Sequence, residues 1–69
     1  MSLKNIVQQL REERKLLQRD LAEKLDVSRQ TIISIENGRY NPSLELAFKL
    51  SKFFERPIEK IFVYEEDLI

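Results

Sequence analysis

Apolar residues recur along this chain at spacings that predict five short helices. Leu3, Ile6, Val7 and Leu10 fall at i, i+3, i+4 and i+7, one face of a first helix ending near Arg14. After the charged junction Arg14-Lys15, the residues Leu17, Leu21, Ala22 and Leu25 mark a second helix over about 18–25. Asp26-Val27 is a short break. Ser28 then has the chemistry of an N-cap, since its hydroxyl can accept from an amide of the next turn. A third helix over about 29–36 points Ile32 and Ile35 inward and stops at Asn37-Gly38, because glycine enters the left-handed conformation at little cost. Arg39 to Pro42 is a loop, and Ser43 caps a fourth helix of about 44–54. Pro57, suited to a helix start, opens a fifth short helix to about Ile61. Phe62, Val63 and Tyr64 have strand-like chemistry.

The fourth helix stands out. Leu44, Leu46, Ala47, Phe48, Leu50, Phe53 and Phe54 cover most of its circumference, and such a helix needs cover on most sides. The second and third helices supply one side. The other needs the C-terminal segment or a second copy of the chain, unless Phe48 and Phe53 simply stay half exposed. A lone C-terminal strand also needs a partner. Together these place a dimer interface at Phe48, Phe53, Ile61, Phe62, Val63 and Tyr64, with residues 1–61 as the folded domain and 62–69 as an extension holding a dimerisation strand and an acidic tail.

Length and composition narrow the rest. At 69 residues this is one small domain, with 42% hydrophobic and 35% charged residues, the balance of a soluble helical protein. It contains no cysteine and no histidine, so disulfides, ordinary zinc sites and Ser-His-Asp or Cys-His catalysis are excluded. No glycine-rich phosphate loop is present, and neither enzyme chemistry, nor a cofactor, nor a small-molecule substrate is expected. No apolar run approaches the roughly 20 residues that span a bilayer, and the N-terminus lacks a signal-peptide pattern, so a cytoplasmic protein without a membrane partner is expected. Net charge is zero. That is less basic than nucleic-acid binders usually are. Residues 1–60, however, hold all twelve basic residues and nine of the acidic ones, a net +3 ahead of the Glu65-Glu66-Asp67 tail.

The third helix carries the functional chemistry. Its outward positions are Arg29, Gln30, Thr31, Ser34 and Asn37, where a plain surface helix would hold Glu and Lys pairs at i, i+4. Arginine can bond bidentately to guanine O6 and N7, and glutamine to adenine N6 and N7. Ile33, also outward, either meets a thymine methyl group or is merely exposed.

The run Gln18-Arg19-Asp20-Leu21-Ala22-Glu23-Lys24-Leu25-Asp26-Val27-Ser28-Arg29-Gln30-Thr31-Ile32, then Ile35-Glu36-Asn37-Gly38 and Asn41-Pro42-Ser43-Leu44, resembles the phage repressor/Cro (xenobiotic-response-element) family over about residues 5–62. The resemblance implies an all-α, compact five-helix repressor-like domain, with helices two and three as the helix-turn-helix and helix three in the major groove, followed by a short C-terminal strand. It also implies residue roles. Gln18 resembles the family glutamine at a helix end that bonds a DNA phosphate. Ser28, Arg29, Gln30 and Ser34 occupy base-facing positions, and Thr31 a base- or phosphate-facing one. Asn37, Arg39, Tyr40 and Asn41 sit in a second phosphate-clamp loop, although Tyr40 could equally be a packing residue. Arg11 and Glu36 match a pair tying helix one to the end of helix three, where composition alone would allow two ordinary surface charges. The family often has glycine at the positions of Lys15, Asp26 and Glu55, and Ser or Thr at that of Leu17. The implied activity is that of a bacterial or phage transcription regulator. It would act as a homodimeric repressor on double-stranded DNA at a paired operator. An antitoxin that regulates its own operon, and a protein-interaction module without DNA binding, are the alternatives.

Overall fold

The computed structural model describes residues 2–65, in the order β1 (Ser2–Asn5), α1 (Val7–Glu13), α2 (Gln18–Leu25), α3 (Arg29–Glu36), α4 (Leu44–Phe54), α5 (Ile58–Ile61) and β2 (Phe62–Glu65). Five helices close over a core of Val7, Leu10, Leu21, Ala22, Leu25, Ile32, Ile35, Leu46, Ala47, Leu50, Phe54, Ile61 and Phe62. The spans of α2, α3 and α4 agree with those expected, and α3 and α4 start at local signals. The Ser28 hydroxyl accepts from the Thr31 amide at 3.1 Å, and the Ser43 hydroxyl from the Leu46 amide at 3.2 Å.

Four helices end in one motif. Lys15, Asp26, Gly38 and Glu55 have φ of 58°, 58°, 76° and 56°. The amide of the next residue reaches back to a carbonyl five positions earlier: Leu16 to Arg11, Val27 to Ala22, Arg39 to Ser34 and Arg56 to Ser51. This is the Schellman closure, which satisfies orphan carbonyls through a left-handed residue. Only one of the four is glycine, so three side chains sit in a region that is sterically costly for L-residues. At the start of α2, Leu17 offers no side-chain cap. The Asp20 carboxylate accepts from the Leu17 amide at 2.8 Å, and only this half of a reciprocal cap remains.

The two ends of the chain differ from expectation. Leu3 lies in a strand, not in the first helix, which begins at Val7. In β1 the side chains alternate, with Leu3 and Asn5 half-buried and Lys4 exposed. Asn5 turns the strand into the helix: its side-chain oxygen accepts from the Val7 amide at 3.0 Å and its amide donates to the Ile35 carbonyl at 2.9 Å. The strand at the other end is present, but its partner is this chain itself. β2 pairs antiparallel with β1, Leu3 opposite Tyr64 and Asn5 opposite Phe62. The argument that a lone strand requires a second copy therefore fails: residues 62–65 pair within the chain, and Phe62 is part of its core. Residues 66–69 of the acidic tail lie outside the described residues.

α4 buries one stripe, Leu46, Ala47, Leu50 and Phe54, and leaves Leu44 72% and Phe48 53% exposed. β2 does not cover that outer face, because it is engaged at β1. Arg14 shields Phe53 instead. Its guanidinium lies 5.3 Å from the Phe53 ring centre and donates to the Phe53 carbonyl at 3.0 Å.

Candidate nucleic-acid interface

α2 and α3 are joined by Asp26-Val27-Ser28, with the left-handed Asp26 reversing the chain and Ser28 starting α3. Ile32 and Ile35 are fully buried, which fixes the rotation of α3 and turns its other face outward. Ser28, Arg29, Gln30 and Asn37 are exposed, and Thr31 and Ser34 half-buried. Ile33 is half-buried as well, so it is less open than an outward position suggests.

These side chains differ in how far they are already engaged. Ser28 and Thr31 are bonded to each other, hydroxyl to hydroxyl, at 2.8 Å. The Gln30 side-chain amide donates to the Ser34 hydroxyl at 3.3 Å. Arg29 has no ion-pair partner among the described residues. Its guanidinium stands at the N-terminal end of α3 with its donors uncommitted.

Glu36 anchors the other end of α3. Its carboxylate accepts from Arg11 Nε at 2.7 Å, from Arg11 Nη2 at 3.1 Å and from Gln18 Nε2 at 3.0 Å. The Glu36 side chain is 2% exposed and that of Arg11 10%. Arg11 also donates to the Leu16 carbonyl at 2.8 Å. One carboxylate thus ties together α1, the α1–α2 turn, the start of α2 and the end of α3. The hydrogen bond to Glu36 raises the Arg11 pKa above its ordinary value, against the opposing effect of burial. No buried side-chain polar atom among the described residues lacks a partner.

Two concavities flank α3. At the start of α2, Leu17, Gln18, Arg19 and Arg29 line a polar cleft with Arg11 at its base. The Gln18 and Arg19 amides open α2 and have no carbonyl within the helix to bond. Arg19 has no role among those the family resemblance implies. It lies one position past the helix start, and only the fold brings it beside Arg29. On the other flank, Thr31 and Tyr40 share a shallow concavity with Ser43, Lys49 and the acidic Glu45. Tyr40 is 45% exposed there, and Arg39 and Asn41 beside it are exposed. Of the six residues assigned to a dimer contact, Ile61 and Phe62 are spent in the chain's own core, Phe53 is half-buried, and Phe48, Val63 and Tyr64 are exposed.

Comparison with known proteins agrees with the fold and its helix-turn-helix. The family model described as Helix-turn-helix matches residues 7–61. An uncharacterized HTH-type transcriptional regulator of Methanocaldococcus jannaschii is 58% identical over 65 residues, 94% of this chain and 98% of that protein. Partial matches run both ways. The immunity repressor of Bacillus phage phi105 is 48% identical over 64% of this chain and 31% of its own length. An HTH-type transcriptional activator of Enterococcus faecalis is 39% identical over 96% of this chain and 32% of its own. The crystal structure of a Bacteroides fragilis protein proposed to be DNA-binding shares the fold, with a TM-score of 0.76 at 22% identity, covering 87% of this chain and 97% of that one. No helix among the described residues is long and apolar enough to cross a membrane. The chain belongs to the Cro/C1-type helix-turn-helix family, whose members are DNA-binding transcription regulators and not enzymes.

Proposed function

We propose that this protein is a sequence-specific regulator that binds a two-fold operator as a homodimer, with α3 in the major groove, and represses by occupying a promoter in the cytoplasm. The observation that carries the reading is the pairing of Arg29 and Gln30, both exposed in the first turn of a helix whose far end is locked by Glu36. The N-terminal residues of such a helix meet base edges, and these two side chains have bidentate partners in guanine and adenine. The cleft at Gln18, Arg19 and the open α2 amides suits one phosphate. Thr31, Asn37, Arg39, Tyr40 and Asn41 suit a second, on the far side of the groove.

The dimer reading rests on what the chain leaves uncovered. Exposed Phe48, together with half-buried Phe53 and buried Leu25, lines an open groove whose rim mixes Lys24 and Lys52 with Asp26 and Glu45. A surface with both charges can meet its own copy across a two-fold axis. Val63 and Tyr64 remain exposed on a two-stranded sheet whose outer edges have no strand partner among the described residues.

Binding selection from random duplex DNA tests this reading. It predicts inverted half-sites with centres about 34 Å, one helical turn, apart or a multiple of that. Recovery of one asymmetric half-site, bound by a single chain, would contradict the dimer. A bound site that raises transcription from its promoter would contradict repression.

A further inference from the structure

We infer that Ser34 is a positioning residue for Gln30 and thereby sets the strength of one base preference, without itself touching the DNA. This rests on the proposal that α3 reads base edges. Gln30 and Ser34 are one helical turn apart on the same face, and the Gln30 Nε2 donates to the Ser34 Oγ at 3.3 Å. A carboxamide carries two hydrogens on its nitrogen and an acceptor oxygen. One hydrogen is spent on Ser34. The second hydrogen and Oε1 are left as an adjacent donor and acceptor, the pair that adenine N7 and N6 require.

A glutamine in water has several rotatable bonds and a nearly two-fold choice at the last one. Flipped by 180°, the same amide presents its donor and acceptor in exchanged places and no longer matches adenine. In the bond observed the Ser34 hydroxyl accepts from Nε2, and the amide held this way has the orientation that matches adenine. Ser34 is half-buried while Gln30 is exposed, so the fixed member of the pair is the serine. The Ser28 and Thr31 hydroxyls bond each other and the Thr31 amide instead, and Ser34 is the side chain that bonds Gln30.

The test is a double-mutant cycle of Ser34→Ala and Gln30→Ala. It is read as the ratio of affinities for the selected operator and for its variant changed at the adenine assigned to Gln30. Ser34→Ala should lower that ratio by on the order of threefold, the worth of one exposed hydrogen bond. The ratio at the guanine assigned to Arg29 should not change. In the Gln30→Ala background, Ser34→Ala should have no further effect. Ser34→Thr, which keeps the hydroxyl, should restore the ratio. An equal loss in both backgrounds would mean that Ser34 contacts DNA on its own, and no loss in either would mean that it orients nothing. Both results overturn the inference while leaving Gln30 as a reader. If Gln30→Ala itself leaves base preference untouched, the assignment of α3 falls, and this inference with it. Circular dichroism checks the fold, which alanine on a helix should not harm.

Discussion

Replacing Glu36 by glutamine should destabilise the whole domain. The substitution keeps the shape of the side chain and removes its charge. Three hydrogen bonds converge on this carboxylate, two of them from Arg11, whose side chain is 10% exposed. Breaking a buried pair by removing one partner costs about 3–5 kcal/mol, since the other charge is left uncompensated. Here Arg11 keeps its bond to the Leu16 carbonyl, and a glutamine oxygen can still accept one bond. The expected loss is therefore smaller than that range, about 2–3 kcal/mol. Domains of this size have roughly 3–10 kcal/mol in total at the usual stability per residue. A fall in Tm of roughly 10–20 °C follows at the scale for 60–100 residues. Urea denaturation followed by circular dichroism measures the loss directly. The double replacement Arg11→Met with Glu36→Met should recover much of it, because an apolar pair of similar volume needs no desolvation. The raised Arg11 pKa means that its charged form, and the stability it supplies, is fully present below the ordinary arginine range and lost only above it. The deficit of Glu36→Gln should therefore be equal at pH 7 and at about pH 9.5. A loss under about 0.5 kcal/mol, typical of a surface site, would refute the reasoning.

Further outcomes follow from the helix ends, the groove and the charges. Gly38→Ala should cost about 1 kcal/mol through its left-handed φ alone, as a Cβ there meets nothing within 4 Å. Glu55→Gly should gain on the order of 0.5 kcal/mol, strain relief exceeding the added freedom of the unfolded chain, and denaturation midpoints give the sign of both changes. Phe48→Glu should shift sedimentation at micromolar concentration towards the monomer while leaving the helical dichroism unchanged, because Phe48 is exposed within one chain. Operator affinity should fall as salt rises, with a log–log slope of about −0.9 per phosphate contact. A slope near zero would remove the two phosphate clefts.

The sequence and the structure agree where the determining signal is local. α3 and α4 start at Ser28 and Ser43, and α3 stops before Gly38, each position readable within a few residues. β1 was not legible in this way. Leu3 stands four residues before Val7, so a helical stripe and a strand with a half-buried Leu3 leave the same spacing. What decides is β2, some sixty positions away, and Asn5, whose side chain caps α1 at the Val7 amide. An Asn just ahead of an apolar-periodic run is a start signal that could have moved the boundary. The left-handed Lys15, Asp26 and Glu55 were visible only through likeness to a family with glycine there, since their own chemistry does not predict positive φ. Arg11 and Glu36 likewise needed the likeness, being 25 residues apart. The Gln18–Glu36 bond and the nearness of Arg19 to Arg29 depend on how α2 and α3 cross, which no spacing encodes. The Gln30–Ser34 pair, by contrast, sits at i, i+4 and was there to be read.

The central claim is that the first turn of α3 reads bases while the start of α2 holds the backbone. The measurement that tests it most directly is the affinity of Arg29→Ala, Gln30→Ala and Gln18→Ala for the selected operator and for its single-base variants. Arg29→Ala and Gln30→Ala should each cost roughly 1–3 kcal/mol on the operator and relax preference at one base position. Gln18→Ala should weaken good and poor sites about equally, because a phosphate contact carries no base information. Arg29→Ala and Gln30→Ala should keep the wild-type dichroism spectrum and Tm, while Gln18→Ala should keep the spectrum with a lower Tm, because it removes one bond to the Glu36 carboxylate. Uniform weakening by Arg29→Ala and Gln30→Ala, with every base preference intact, would contradict the account.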